Sequence, residues 1–180
     1  LQCVKARFWS FRYASEQASF WPFEYASEHL RHDREFVLSV VKVNGHALGR
    51  VPHFQNDKEI VMSAVMQNGG ALQYASDELR NDEQVVMTAV KKYYPWFRYA
   101  SESLKNNGDF ILKCIQEVGA GLLRVKYGRE SVVPRKWKSD FEFMVRAVKL
   151  KRGCLRYASE RLKNKAEFKQ AIACETNSDK

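Results

Sequence analysis

The sequence has little of what several large protein classes require. Its 180 residues include only four Cys, four Pro and nine Gly. No Cys-x-x-Cys pair occurs, which excludes zinc-ribbon spacing and a dense disulfide framework. So little Pro and Gly excludes a collagenous or Pro-rich chain. No apolar run approaches the roughly 20 residues of a membrane-spanning helix. No charged, apolar and small-residue series at the start reads as a secretory signal. The chain opens at Leu1 rather than Met, so the reading allows for a targeting segment already removed. A His-Glu-x-x-His zinc helix and a phosphate-cradling Gly-x-x-x-x-Gly-Lys-Ser/Thr loop are both absent.

What is present is a globular composition, with 45% hydrophobic and 28% charged residues. That balance excludes disorder throughout, and the length suits one domain of ordinary size. The net charge of +9 is unevenly placed. Residues 121–165 hold fourteen Lys/Arg and four Asp/Glu, a local +10, and the rest of the chain sums to −1. A basic third beside a near-neutral remainder points to an acidic partner at one end: RNA, DNA, an anionic membrane surface or an acidic protein face. A solvated, soluble surface is the plain alternative. Cys114 and Cys154 fall at interior positions of the periodic pattern, so both are expected to be reduced and buried, in a reducing intracellular compartment.

The dominant feature is internal repetition. Tyr-Ala-Ser occurs at Tyr13, Tyr25, Tyr74, Tyr99 and Tyr157. From Tyr74 to Tyr99 is a step of 25 residues, whereas Tyr99 to Tyr157 is two steps plus eight. The obvious insert is Tyr127 to Pro134. Asp33, Asp57, Asp82 and Asp140 keep one phase, as do Val41, Val65, Val90 and Val148. One unit replaces Tyr-Ala-Ser with Arg50-Val51-Pro52.

Each unit reads as a short helix followed by a longer one. Asp82 is an N-cap whose carboxylate can bond the first free amides, and Val86, Ala89, Val90 and Tyr93 follow at helical spacing. Asn68-Gly69 is expected to end the preceding long helix with a left-handed cap. Gly119-Ala120-Gly121 ends another. The shorter helix is expected over about Gly70 to Arg80, with Leu72, Ala75 and Leu79 on one face. Whether Ser76 lies within it or breaks it stays open. A two-helix unit of this size cannot bury both apolar stripes alone, so neighbours must stack. The expected fold is all-α, tandem two-helix repeats stacked as a short α-solenoid. Residues 1–25 form a degenerate, aromatic-rich N-terminal repeat, 26–172 the repeat array with its insert near 127–134, and 173–180 a polar tail.

The string Leu-x-Tyr-Ala-Ser-Asp-Glu-Leu-Arg-Asn-Asp, followed by Val-Val-Met-Thr-Ala-Val, resembles a family of short tandem helical repeats catalogued as a domain of unknown function. That family occurs in single-celled eukaryotes, algae and some bacteria. The resemblance covers about residues 11–172 and is most specific over 24–115. It implies an all-α array, and it carries no activity, cofactor or catalytic residue. By association it suggests an accessory subunit of a larger assembly, organellar assemblies included.

The chemistry-bearing residues divide accordingly. Five serines in one repeated frame are the wrong pattern for a single activated nucleophile and are assigned to local hydrogen bonding. The repeated Asp residues are assigned to caps. His29, His32 and Asp33 are close in sequence, but both histidines stand at variable repeat positions and are assigned to the surface rather than to a metal. No catalytic residue, metal ligand or cofactor is assigned. Two binding surfaces are. One is the basic insert with its flank: Arg124, Lys126, Tyr127, Arg129, Arg135, Lys136, Trp137 and Lys138. Bases with interleaved aromatics can hold phosphates and stack nucleobases, or hold an acidic protein face. A solvated loop with Trp137 packed on the core is the alternative. The other is the N-terminal aromatic group Phe8, Trp9, Phe11, Phe20, Trp21 and Phe23, either a cap on the terminal repeat or a docking surface. Together these support a non-enzymatic scaffold or protein-binding module, with RNA or nucleic-acid binding through residues 124–165 as the alternative.

Overall fold

The computed structural model describes residues 26–124, 126–127 and 130–173. The N-terminal aromatic group, Arg129 and the polar tail lie outside the described residues. The long helices are α2 (Arg34–Val43), α3 (Lys58–Gln67), α5 (Glu83–Lys92), α7 (Gly108–Val118), α9 (Phe141–Leu150) and α11 (Ala166–Ala173). Between them run short helices: α1 (Glu28–Arg31), α4 (Asp77–Arg80), α6 (Glu102–Lys105), α8 (Arg135–Ser139) and α10 (Glu160–Lys163). Strands β1 (Lys126–Tyr127) and β2 (Glu130–Ser131) pair antiparallel, Lys126 opposite Ser131 and Tyr127 opposite Glu130. The fold is all-α and repetitive, as the periodicity requires, and this small hairpin interrupts it at the insert.

The long helices start where the acidic residues stand. The carboxylate of Asp33 accepts from the Phe36 amide at 2.9 Å, and that of Asp140 from Phe143 at 2.7 Å. Asp57 accepts from Glu59 and Ile60, and Asp82 from Gln84 and Val85. Each answers amides that a helix start leaves unpaired. Asn107 takes this place before α7 and accepts from Phe110. In two repeats the first residue of the long helix also reaches the next cap. Arg34 Nε donates to Asp57 Oδ2 at 2.7 Å, and Lys58 Nζ to Asp82 Oδ2 at 2.6 Å.

The segment expected as one helix from Gly70 to Arg80 is in two pieces. A 3-10 turn runs Gly69–Tyr74, and α4 starts at Asp77. Ala75 (φ −66°, ψ 151°) and Ser76 (φ −58°, ψ 160°) are extended between them. Ser76 therefore marks the break, and its hydroxyl caps α4 by accepting from the Leu79 amide at 3.3 Å. Ser27, Ser101 and Ser159 do the same for Leu30, Leu104 and Leu162. The four repeated serines among the described residues are caps. Leu72, Ala75 and Leu79 are still all buried, although three different backbone conformations deliver them.

Two local expectations are corrected. Asn68-Gly69 is not a left-handed cap: Asn68 is extended at φ −142°, and its side chain accepts from the Gly70 amide, opening the 3-10 turn instead. Among the described residues the one positive φ is at Gly119 (84°), which ends α7. Tyr93, expected on the apolar face after Val90, is 54% exposed, because the helix ends at Lys92 and the chain turns extended.

The chain divides into two compact units between Lys92 and Tyr93. In the first, α2 packs on α3 and α3 on α5, burying Val37 and Val41, Val61 and Val65, and Val86 and Val90. In the second, α9 packs on α7 and on α11 around Phe110, Ile115, Met144 and Phe168. Cys114 and Cys154 are buried there and form no disulfide, as expected. Val41, Val65, Val90 and Val148, alike in repeat phase, are all buried. Within each unit the repeats stack side by side, each long helix covering its neighbour's apolar stripe.

Candidate functional site

The second unit holds the basic insert. Its 3-10 turn, Ala120–Arg124, leaves Arg124 exposed at the end. The hairpin then carries Lys126 and Tyr127, and the buried Val132 and Val133 return the chain to the core. Pro134 stands before α8, where other repeats place their capping serine. Arg135 and Lys136 are exposed on α8, whereas Trp137 and Lys138 are half-buried.

Trp137 is held by packing. Its Nε1 donates to the Lys105 carbonyl at 3.2 Å, and its ring lies 4.9 Å from that of Phe143. A Cβ at Gly108 would come within 2.8 Å of the indole, so the start of α7 has to be glycine for the ring to lie there. The cation of Lys136 sits 4.9 Å from the indole centroid. The carbonyl of Lys138 accepts from the Ser159 amide at 2.8 Å, tying α8 to the start of α10. Arg124, Arg135 and Lys136 are thus the predicted residues seen facing solvent. Trp137 and the Lys138 backbone position α8.

Sequence reasoning passed over a second group in this unit. Tyr93, Tyr94, Trp96, Arg98 and Tyr99 form an aromatic strip around the 3-10 turn Tyr94–Tyr99. The rings of Trp96 and Tyr99 stack at 5.9 Å, and the Arg98 guanidinium lies 5.1 Å and 4.5 Å from their centroids. The signal was available: Tyr-Tyr-Pro-Trp-Phe-Arg-Tyr replaces the Asn-Gly-Gly-Ala-Leu-Gln-Tyr of the preceding repeat. Of these side chains only Phe97 is needed in the core, where it is fully buried against Phe110.

Charge follows the division of the chain. Residues 1–92 carry eleven Lys/Arg and eleven Asp/Glu, whereas residues 93–180 carry nineteen against ten. The second unit therefore carries the entire net +9. Several of its bases lie in surface pairs, Arg146 with Asp109 and Lys163 with Glu160. Arg135, Lys136, Lys151, Arg161 and Lys165 are exposed.

His29 and His32 are exposed, as the surface assignment expected. Among the described residues no group of three or more His, Cys, Asp or Glu is placed to hold a metal. Among them, too, no polar or charged residue is buried, and no helix is long and apolar enough to cross a membrane.

The family described as Domain of unknown function (DUF4116) matches the chain four times, over residues 21–55, 33–80, 57–105 and 82–120. These overlapping matches run through residues 21–120, more than half of the chain; the first spans the long helix α2, and each of the other three spans two consecutive long helices. No curated protein and no solved structure matches it.

Proposed function

We propose, from the premise that the chain belongs to the DUF4116 family of tandem repeats, that it is a non-catalytic helical-repeat scaffold. In this reading it is an accessory subunit that grips an acidic partner protein through its basic second unit. One observation carries the reading. The recurring residues cap helices and fill cores, while the exposed residues differ between units and concentrate positive charge in one of them. A repeat stack with a variable outer surface suits recognition, because surface changes leave the packing untouched. Arg124, Arg135 and Lys136, exposed beside the insert, supply the attraction at short range. The aromatic strip at Tyr93 to Tyr99 offers the large, rigid contact area that interfaces favour.

A second reading, RNA binding, is supported by the same exposed bases around the insert. The two separate on purification of the tagged chain from native extract, with and without nuclease, followed by crosslinking. The scaffold reading expects a stoichiometric protein complex that survives nuclease and crosslinks through Lys136 or Lys151. A complex dissolved by nuclease, with log affinity falling about 0.7–0.9 per phosphate contact against log salt, would replace it with the second reading. A chain that stays monomeric and partnerless at physiological salt would overturn both.

A further inference from the structure

In the second unit α7 and α9 run side by side in one direction. Trp137, just before α9, lies on Gly108 at the start of α7. The 3-10 turns that follow the two helices, Ala120–Arg124 and Arg152–Tyr157, meet at the other ends, where a Cβ on Gly153 would stand 3.5 Å from Ala120 Cβ. The turn Tyr94–Tyr99 joins the same row, with the Tyr94 ring 3.5 Å from a Cβ placed on Gly121. The unit therefore has two edges. The edge where α7 and α9 start holds α8 with Arg135 and Lys136. The edge where they end is a ladder of three 3-10 turns, about 15 Å away along the ten-residue α9.

The ladder has a polarised surface. Glu102, Asp109, Asp140, Glu142, Glu160 and Glu167 all stand in or just before the first turn of a helix, and none of the three 3-10 turns holds an acid. Glu117, in the last turn of α7, is the acid nearest to them along the chain. Arg124 ends the second turn, Arg156 stands in the third and Lys151 just before it, all three exposed. Arg156 lies 5.8 Å from the Tyr157 ring, and among the described residues none of these three bases is in an ion pair. Arg152 beside them is tied to the Ile172 carbonyl at 3.3 Å.

The first turn supplies an apolar anchor at the end of this row. The exposed Tyr93 ring meets the half-buried Trp96 ring at 5.7 Å and 74°, a corner with two aromatic walls. Aromatic-lined grooves take proline in the polyproline II conformation, which is extended before it binds.

We propose that this ladder docks an acidic, proline-containing segment of the partner protein, a proline seated in the Tyr93–Trp96 corner and carboxylates paired with Arg124, Lys151 and Arg156. The proposal rests on the scaffold reading and names the face and the peptide chemistry within it. Bases without carboxylates beside them draw the segment in, and the aromatic corner fixes its register.

The test is titration of the full chain with a peptide of alternating Glu and Pro, an equally charged peptide of alternating Glu and Ser, and an oligouridylate. Binding is read by calorimetry and by the Trp96 indole resonance. The Glu-Pro peptide should bind at one site, move Trp96 and exceed the Glu-Ser peptide about tenfold. Tyr93→Ser should bring the Glu-Pro peptide down to the Glu-Ser affinity. Lys151→Glu/Arg156→Glu should weaken both peptides by about tenfold or more, and Arg156→Gln should act in the same direction if the double variant does not fold. The proposal is overturned if the two peptides bind alike, if the folded variants bind undiminished, or if the oligouridylate binds more tightly than the Glu-Pro peptide. The native complex separates this failure from failure of the scaffold reading. A complex that Arg135→Glu/Lys136→Glu dissolves, but that Tyr93→Ser and Lys151→Glu/Arg156→Glu leave intact, overturns the ladder and keeps the scaffold. A parent chain with no protein complex overturns the scaffold reading and the ladder with it.

Discussion

Asp57 and Asp82 each do two jobs with one carboxylate. One oxygen accepts from backbone amides at a helix start, and the other from the first side chain of the previous long helix. For Asp57, the bond from Arg34 is the main influence and holds the carboxyl below its ordinary range. For Asp82, partial burial is the largest single influence and acts upward, but the bonds from Lys58, Val85 and Gln84 together outweigh it and leave the group lowered. A carboxyl lowered in the folded state stabilises fully above its unfolded value of about 4, and that contribution is lost as pH falls through the folded value. Acid melting curves should therefore be shallower for Asp57→Asn and Asp82→Asn than for the parent chain. At neutral pH, Asp82→Ala should cost about 0.5–2 kcal/mol in urea unfolding, the usual range for a lost N-cap. Leu79 is 8% exposed, and Leu79→Ala should cost about 2–5 kcal/mol as a buried truncation. Burial pushes the Cys154 thiol up to about 11. Alkylation at pH 8 should thus be slow in the native chain and fast in urea, with free thiol recovered in both. These residue roles were legible in the sequence because caps and core positions recur: Asp33, Asp57, Asp82 and Asp140 declare themselves by phase alone.

Elements were less legible than residues. The phase of Leu72, Ala75 and Leu79 fits a single helix, yet the chain there is a 3-10 turn, an extended pair and one helical turn. Periodicity reports which side chains face inward and does not distinguish α from 3-10 winding over so few residues. The Ser76 hydroxyl tips the balance, since it bonds the Leu79 amide from an extended backbone. In the same way Asn68-Gly69 carries the composition of a left-handed cap, but the Asn side chain captures the Gly70 amide first. Gly119, with φ 84° and nothing within 4 Å of an added Cβ, isolates the conformational effect from any packing effect. Gly119→Ala should accordingly destabilise the second unit by about 1–2 kcal/mol through backbone strain alone, as judged by thermal melting. The hairpin of Lys126–Tyr127 and Glu130–Ser131 was invisible in the sequence, because a two-residue strand has no periodicity to read. Trp137 was open between binding and packing in the sequence. Its contacts with Gly108, Lys105 and Phe143 lie far away in the chain, where no local pattern reaches.

On the scale of the whole molecule, the all-α repeat fold was legible in the sequence, and the division between Lys92 and Tyr93 was not. The charge gradient anticipated it in part, since the basic segment 121–165 falls wholly within the second unit. The aromatic strip from Tyr93 to Tyr99 opens that unit, and its departure from the repeat is the clearest sign missed. The central claim is that folding and recognition use separate residues. In the proposed reading, recurring positions hold the stack and the exposed bases of the second unit hold the partner. The most direct measurement compares the parent chain with Arg124→Glu/Arg135→Glu/Lys136→Glu, recording thermal melting and the native complex side by side. The account predicts a melting temperature within a few degrees of the parent and loss of the co-purifying partner. A complex retained at parental stoichiometry by this variant would contradict it.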